Sequence, residues 1–270
     1  MYSFLIDNNQ IAIVIFTFLL GVIIGSFLNT VIYRLPIMLG IIERVDKFKR
    51  FNIGEPRSHC RNCNSIIPFY FNIPVIGYFI LKGKCHHCKS FISLEYPTLE
   101  ILTGVTFLWL TLLLGFSNFL IFMCFLSSTL IVIAVIDFKH FIIPNSITYT
   151  LICLGLLINY FFEMTILRYS ILGCVGGFLL FMFIEKAFFM IKKIDGLGRG
   201  DAKLVAAIGA WVGINYLPLV IFLAAFLGIL FFIILLMINK KSLNESLNME
   251  IPFGTFLAIS CILIMPLTIN

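Results

Sequence analysis

Two aspartates at the ends of apolar runs are the residues in this sequence best placed to do chemistry. In Gly196-Leu197-Gly198-Arg199-Gly200-Asp201-Ala202-Lys203, a carboxyl group stands between three glycines and a long hydrophobic segment. An ionised acid at the edge of a hydrocarbon core costs about 3 kcal/mol unless it is paired or reaches water, so such a residue is a functional-site candidate. Asp137 ends the run Leu120 to Ile136 in the same manner, 64 positions earlier. Two such acids brought together share one proton, and one then acts as base while the other acts as acid.

Other readings of the stretch remain open. Arg199-Gly200-Asp201 spells a cell-adhesion tripeptide, which recurs by chance in unrelated chains. The glycines imitate a nucleotide-binding loop, but that motif needs a preceding strand and a βαβ unit, and neither is present. A plain helix start, with Asp201 as the cap and the glycines as a hinge, competes directly with an acid–base role.

A second constellation is built from sulfur. Cys60-Arg61-Asn62-Cys63 and Cys85-His86-His87-Cys88 form a CxxC pair with 21 residues between, close to the zinc-ribbon pattern. Four soft thiolates in a closed tetrahedron suit a structural zinc. A redox role for the two CxxC turns is the alternative, although no thioredoxin-like βαβ pattern surrounds them. His59, His86 and His87 are read as bystanders beside a complete ligand set. Cys124, Cys153, Cys174 and Cys261 lie singly in apolar runs and read as small core residues.

The elements that must position these groups are set by composition. The 270 residues are 61% hydrophobic and include 30 Phe, and the mean hydropathy is +1.08. One soluble core could not hide that much apolar surface, so the chain is an all-α polytopic membrane protein. About eight runs can span a bilayer: Ile11 to Tyr33, Thr98 to Gly115, Phe119 to Ile136, Ile147 to Phe162, Ser170 to Ile191, Ala202 to Asn215, Leu219 to Ile238, and Pro252 to Leu267. The sixth is short, but Ala202 to Ile238 is too long for one crossing, and Asn215 and Pro218 supply a turn.

Charge supports that count. Of the 19 Lys and Arg, only Arg168 falls on the side opposite the others when eight spans alternate. The positive-inside rule then puts both termini outside and places Asp137 and Asp201 at cytosolic helix ends. The net charge of +6 reflects this topology and calls for no nucleic-acid partner. The first span should stay uncleaved, because no Lys or Arg precedes it and it is longer than a signal-peptide core.

The expected organisation is a first transmembrane helix over 1–33, a cytosolic four-cysteine domain over 34–97, and a seven-helix transmembrane domain over 98–270. The cytosolic domain is too small for a generous core and needs a staple. Its apolar stretch Asn72 to Leu81 is too short to span and should lie at the interface or pack on the bundle. Gly21 and Gly25, Gly173 and Gly177, and Gly209 and Gly213 have the small-xxx-small spacing of close helix contacts. Arg34 is expected to snorkel. Asn29 is either a packing residue or has a further role. Glu100, expected in the first turn of the second span, is either a dipole-complementing cap or a substrate contact. Lys139 and His140 are near enough in sequence to bias the charge of Asp137, and no internal repeat is evident.

Taken together, the motifs resemble the bacterial type IV prepilin peptidase family, also called leader peptidase and N-methyltransferase. The resemblance covers nearly the whole chain. It rests on Gly25-Ser26-Phe27-Leu28-Asn29 through Tyr33-Arg34-Leu35-Pro36, the two CxxC pairs, Asn72-Ile73-Pro74, Tyr96-Pro97 with Glu100, Ile136-Asp137, Gly198-Arg199-Gly200-Asp201-Ala202-Lys203, and Pro252-Phe253-Gly254. It implies a GxGD-type aspartic endopeptidase of the bacterial inner membrane with Asp137 and Asp201 as the catalytic pair, supported by Gly198, Gly200, Lys203 and Glu100. It further implies cleavage of the basic leaders of type IV prepilins and pseudopilins, of type IV pilus and type II secretion systems. S-adenosylmethionine-dependent methylation of the new N-terminus would follow. Two positions depart from the family's pattern: Asn145 stands where an Asp is common, and Thr255 where Pro is common. A membrane scaffold or transporter of a pilus or secretion system is the alternative, and it would keep function when either Asp became Asn.

Overall fold

A computed structural model describes residues 8–43, 51–193, 198–239 and 251–269. Gly196, Leu197, Asp46, Lys240 and Lys241 lie outside the described residues. Among those described there are helices, short turns and two isolated bridges, and no extended strand. The helices are α1 (Asn8–Met38), α2 (Ile76–Ile80), α3 (Glu95–Leu114), α4 (Asn118–His140), α5 (Asn145–Phe162), α6 (Leu167–Lys192), α7 (Arg199–Asn239) and α8 (Phe253–Ile264). Six of them are long and apolar enough to cross a membrane, and a shorter apolar segment runs from Phe253 to Thr268. Exposed Phe16, Phe161, Phe183 and Phe222 leave these helices clad in hydrocarbon, as lipid contact requires.

The chain divides into two compact units, Met1–Ser128 and Thr129–Asn270, with the division inside α4. In the first unit, α1 lies against α3 at glycines. A Cβ on Gly21 would stand 2.8 Å from Gly104 Cα, and one on Gly25 would stand 2.8 Å from Glu100 Cα. Only hydrogen at these positions lets the two backbones meet, as the small-residue spacing predicts. Asn29 Nδ2 donates to Tyr96 O at 3.1 Å, which gives that residue its further role.

Arg34 does not snorkel. It is buried, and it donates through Nη1 to the carbonyls of Asn52 and Ile53 at 3.0 Å each and through Nη2 to Pro56 O at 2.6 Å. Carbonyls of a folded loop replace water around the cation, so the guanidinium fork is used as a clamp. The stretch around α2 keeps Ile73, Ile76, Phe79 and Ile80 exposed, consistent with a segment lying in the membrane interface.

In the second unit, α6 and α7 cross where Gly173 faces Gly209, and a Cβ on Gly173 would stand 2.6 Å from Gly209 O. Helix α7 is not straight. At about 1.5 Å per residue, the 40 apolar residues Arg199–Ile238 would run roughly 60 Å, twice a bilayer core. The helix breaks at Gly213 (φ 74°, ψ 171°), two residues before the expected turn at Asn215 and Pro218. Pro218 lies inside the helix, in the opening turns of its second half, where few helical bonds are lost.

The break frees backbone carbonyls, and polar side chains meet them. Asn159 Nδ2 donates to Ala210 O at 2.8 Å, and the Thr165 hydroxyl donates to Trp211 O at 3.1 Å. Asn159 Oδ1 in turn accepts from the Thr165 amide at 2.9 Å. Trp211 Nε1 donates to Leu151 O at 2.9 Å, tying α7 to α5. Breaks in apolar helices persist only with such substitutes.

Candidate active site

Asp137 occupies the last turn of α4, which Phe141 ends in a left-handed conformation (φ 54°) with its amide bonded to Asp137 O at 2.8 Å. The chain then turns through Ile142-Ile143-Pro144 into α5, and Ile143 is buried. Its side chain faces two glycines: a Cβ on Gly200 would stand 3.1 Å from Ile143 Cβ, and one on Gly254 would stand 2.6 Å from Ile143 Cδ1. Ile143 is thus the wedge around which the starts of α7 and α8 gather beside the end of α4.

Asp201 lies in the first turn of α7, where its amide donates to Gly198 O at 2.9 Å. A carboxylate in the first turn faces the positive end of the helix dipole. That place at the helix start is real as local structure, although Asp201 is the third residue of α7 and not its cap. It does not use up the residue, because the carboxyl also lies within electrostatic reach of Asp137.

Asp137 is buried, and its Oδ2 accepts two bonds from the first turn of α8: the Thr255 amide at 2.7 Å and the Thr255 hydroxyl at 3.1 Å. Gly254 permits this approach, since a Cβ there would stand 3.0 Å from Asp137 Oδ2. The positive end of α8 adds a favourable dipole. Sequence reasoning gave neither Thr255 nor Gly254 a role in holding Asp137. The available signal was a Pro-x-Gly opening to the final apolar run.

Lys139, two residues beyond Asp137, is exposed and projects from another face of α4. Lys203 Nζ donates to Asn145 Oδ1 at 2.7 Å and lies 5.4 Å from the Tyr149 ring centroid. A neutral amide thus serves as the lysine's acceptor.

In the first unit, the sulfurs of Cys60, Cys63, Cys85 and Cys88 all lie within 4.8 Å of one another. Cys60 Sγ and Cys88 Sγ are 3.8 Å apart, the edge length that a tetrahedron with metal–sulfur bonds of about 2.3 Å requires, roughly 3.8 Å. The two halves repeat one another. The Cys60 amide donates to Ser65 O at 2.9 Å and the Cys85 amide to Ser90 O at 2.8 Å, while Asn64 (φ 55°) and Lys89 (φ 60°) turn the chain identically. Cys63 Sγ lies 3.0 Å from Ser65 Oγ, and Cys88 Sγ 3.1 Å from Ser90 Oγ. A short repeat, CxxCxS, is therefore present in the sequence after all.

These contacts prepare thiolates. The Ser90 hydroxyl and amide pull the Cys88 thiol down to about 6. Burial opposes ionisation of Cys60, but the Cys63 and Asn62 amides outweigh it and lower the thiol. Burial pushes the Cys85 thiol up, the direction that a metal cation would reverse.

Beneath the knuckles a cavity of about 590 Å³ is lined by Asn29, Tyr33, Arg61, Phe71, Tyr96 and Glu100 among others. Glu100 is not in the first turn of its helix as expected, because α3 begins at Glu95. It is buried in the second turn, and its Oε2 accepts the Val75 amide at 2.7 Å. The Arg61 guanidinium lies 3.7 Å from the Tyr33 ring centroid.

Residues 19–114 match the bacterial peptidase A24 N-terminal domain, and residues 124–233 match the type IV leader peptidase family. The chain is 36% identical over 260 residues to the prepilin leader peptidase/N-methyltransferase of Legionella pneumophila, covering 92% of this chain and 88% of that protein. The chain belongs to the type IV leader peptidase family. Proteins of the same name from Burkholderia pseudomallei (strain 1026b) and Stutzerimonas stutzeri are each 34% identical, over 256 and 264 residues, covering 90% and 94% of this chain and 82% and 90% of theirs. No solved structure matches. In this leader peptidase the four cysteines and Glu100 fall in the N-terminal match, and both acids fall in the second. Thr255 lies beyond both.

Proposed function

We propose that Asp137 and Asp201 are the catalytic pair of a membrane-embedded endopeptidase that removes the basic leader of type IV prepilins and pseudopilins at the cytosolic membrane face. The observation that carries this reading is their convergence around Ile143, with Gly200 and Gly254 holding the two helix starts close. One carboxylate draws a proton from water as the water attacks the scissile carbonyl, and the other, protonated, donates to the developing oxyanion. The roles then exchange as the amine leaves. The charge pattern puts both termini outside and both acids on the cytosolic side of a bacterial inner membrane, where a prepilin inserted by its own apolar helix presents its cut site.

The cysteine tetrahedron fits a structural zinc, held by Cys60, Cys63, Cys85 and Cys88. For methylation, the cavity in the first unit suits S-adenosylmethionine: the Glu100 carboxylate and the faces of Phe71 and Tyr96 favour a sulfonium cation, and Arg61 favours a carboxylate. When bound, that cofactor supplies a methyl group to the amine that cleavage exposes. Glu100, Asn29 and the tyrosines do the binding and orienting.

The pair is tested by Asp137→Asn, Asp201→Asn and the double variant, each purified in detergent and mixed with an inserted prepilin. Each single variant should abolish leader cleavage on a gel. The double should be scarcely worse than either, because residues acting as a unit are non-additive. Substantial processing by either single variant removes the assignment and promotes the scaffold alternative.

A further inference from the structure

We propose that Thr255 is a positioning residue for Asp137: it commits one carboxyl oxygen, Oδ2, in both protonation states of that acid and so leaves Oδ1 to handle water and substrate. The proposal rests on the reading of Asp137 and Asp201 as the catalytic pair. Three distances carry it. The Thr255 amide lies 2.7 Å from Asp137 Oδ2, the Thr255 hydroxyl lies 3.1 Å from the same oxygen, and the hydroxyl also lies 3.0 Å from Ala134 O. All three residues are buried, so a mismatched bond among them is costly.

A hydroxyl has one proton and two lone pairs, whereas the Ala134 carbonyl only accepts. With Asp137 ionised, Thr255 Oγ1 turns its proton to Oδ2, which then accepts from both the amide and the hydroxyl. With Asp137 protonated on Oδ1, the oxygen left to water and substrate, Oδ2 keeps the amide bond, and the hydroxyl's proton shifts toward Ala134 O as the charge on Oδ2 falls. Thr255 gains and loses no proton in this exchange, and the amide stays on Oδ2 throughout. The carboxyl can therefore take up and release its proton without rotating, as a pair that trades a proton during turnover requires. A residue that only tied α8 to α4 would need neither the second acceptor nor the convergence of both donors on one oxygen.

The test uses full-length protein in detergent with an inserted prepilin, comparing Thr255→Ser, Thr255→Val, Thr255→Ala and Asp137→Asn. Valine keeps the shape and the amide but removes the hydroxyl. Thr255→Val and Thr255→Ala should lower kcat by about tenfold or more at unchanged KM, the worth of one hydrogen bond to a charged group, while Thr255→Ser stays within about threefold of wild type. Thermal midpoint and zinc content report folding, and if valine does not fold, the alanine variant decides. Wild-type kcat in the hydroxyl-free variants beside an inactive Asp137→Asn overturns the proposal alone. So does a serine variant that falls as far as valine, or a loss confined to KM. Cleavage by Asp137→Asn overturns the catalytic pair itself, a separate result.

Discussion

Adding one methyl group at residue 254 tests the packing that holds the two acids. In Gly254→Ala the new Cβ would stand 2.6 Å from Ile143 Cδ1, 3.0 Å from Asp137 Oδ2 and 3.1 Å from Asp137 Cγ. None of these neighbours can give easily. Ile143 also lies against Gly200, and the Asp137 carboxyl is held by Thr255, the very next residue. The first turn of α8 must therefore withdraw by roughly half an ångström to clear the Asp137 carboxyl, and Ile143 Cδ1 must yield the rest of its own overlap. That stretches the 2.7 Å amide bond from Thr255 to about 3.2 Å, the far edge of useful geometry. Overpacking of this kind costs about 1–3 kcal/mol, and a similar loss at the reacting acid slows cleavage by about ten- to a hundredfold. Gly228→Ala is the opposite control, because its nearest neighbour, Phe256 Cδ2, is 3.6 Å away. There the exchange inside a helix should stabilise by about 0.5–1 kcal/mol. Single-turnover cleavage and thermal unfolding in detergent read both effects. Gly254→Ala with wild-type kcat and an unchanged midpoint would refute the idea that α8 positions Asp137.

Elemental analysis of purified protein should find about one zinc per chain, and replacing Cys60, Cys63, Cys85 and Cys88 with Ser should remove it; full metal content in that variant would place the metal elsewhere. Glu100→Gln should weaken equilibrium binding of S-adenosylmethionine by about tenfold while leaving zinc in place, since it removes the carboxylate proposed to face the cation; unchanged binding would move the proposed cofactor site out of that cavity. Asn159→Leu should lower the unfolding midpoint, with a cost of about 1–3 kcal/mol for carbonyls left without a donor in an apolar setting. A variant as stable as wild type would mean that another group satisfies Ala210 O.

Sequence conveyed what repeats or costs energy locally. CxxC spacing announced the sulfur cluster, glycine spacing announced close helix contacts without naming the partner helices, and two acids beside apolar runs announced themselves by the cost of placing them there. Contacts between distant segments were not legible. Nothing near Asp137 signals that its carboxyl is held from 118 residues away, because a backbone amide has no sequence signature. The break in α7 was expected at Asn215 and Pro218 from turn chemistry, but the decisive residue is Gly213, and the Ala210 and Trp211 carbonyls beside it are met by Asn159 and Thr165 on earlier segments. Arg34 looked like a snorkelling cation because the loop carbonyls that receive it become acceptors only once that loop has folded. The CxxCxS repeat was visible in principle, but its unit is too short to stand out.

The order in which the broken helix meets its donors also bears on how the chain is made. Asn159 precedes Ala210 by 51 residues and Thr165 precedes Trp211 by 46, so synthesis delivers both donors to the membrane before the segment that needs them emerges. The α5–α6 hairpin is then a template waiting for an imperfect helix, and the exposed carbonyls are received on arrival. A circular permutation placing α7 ahead of α5 would keep every final contact and lose that sequence of events.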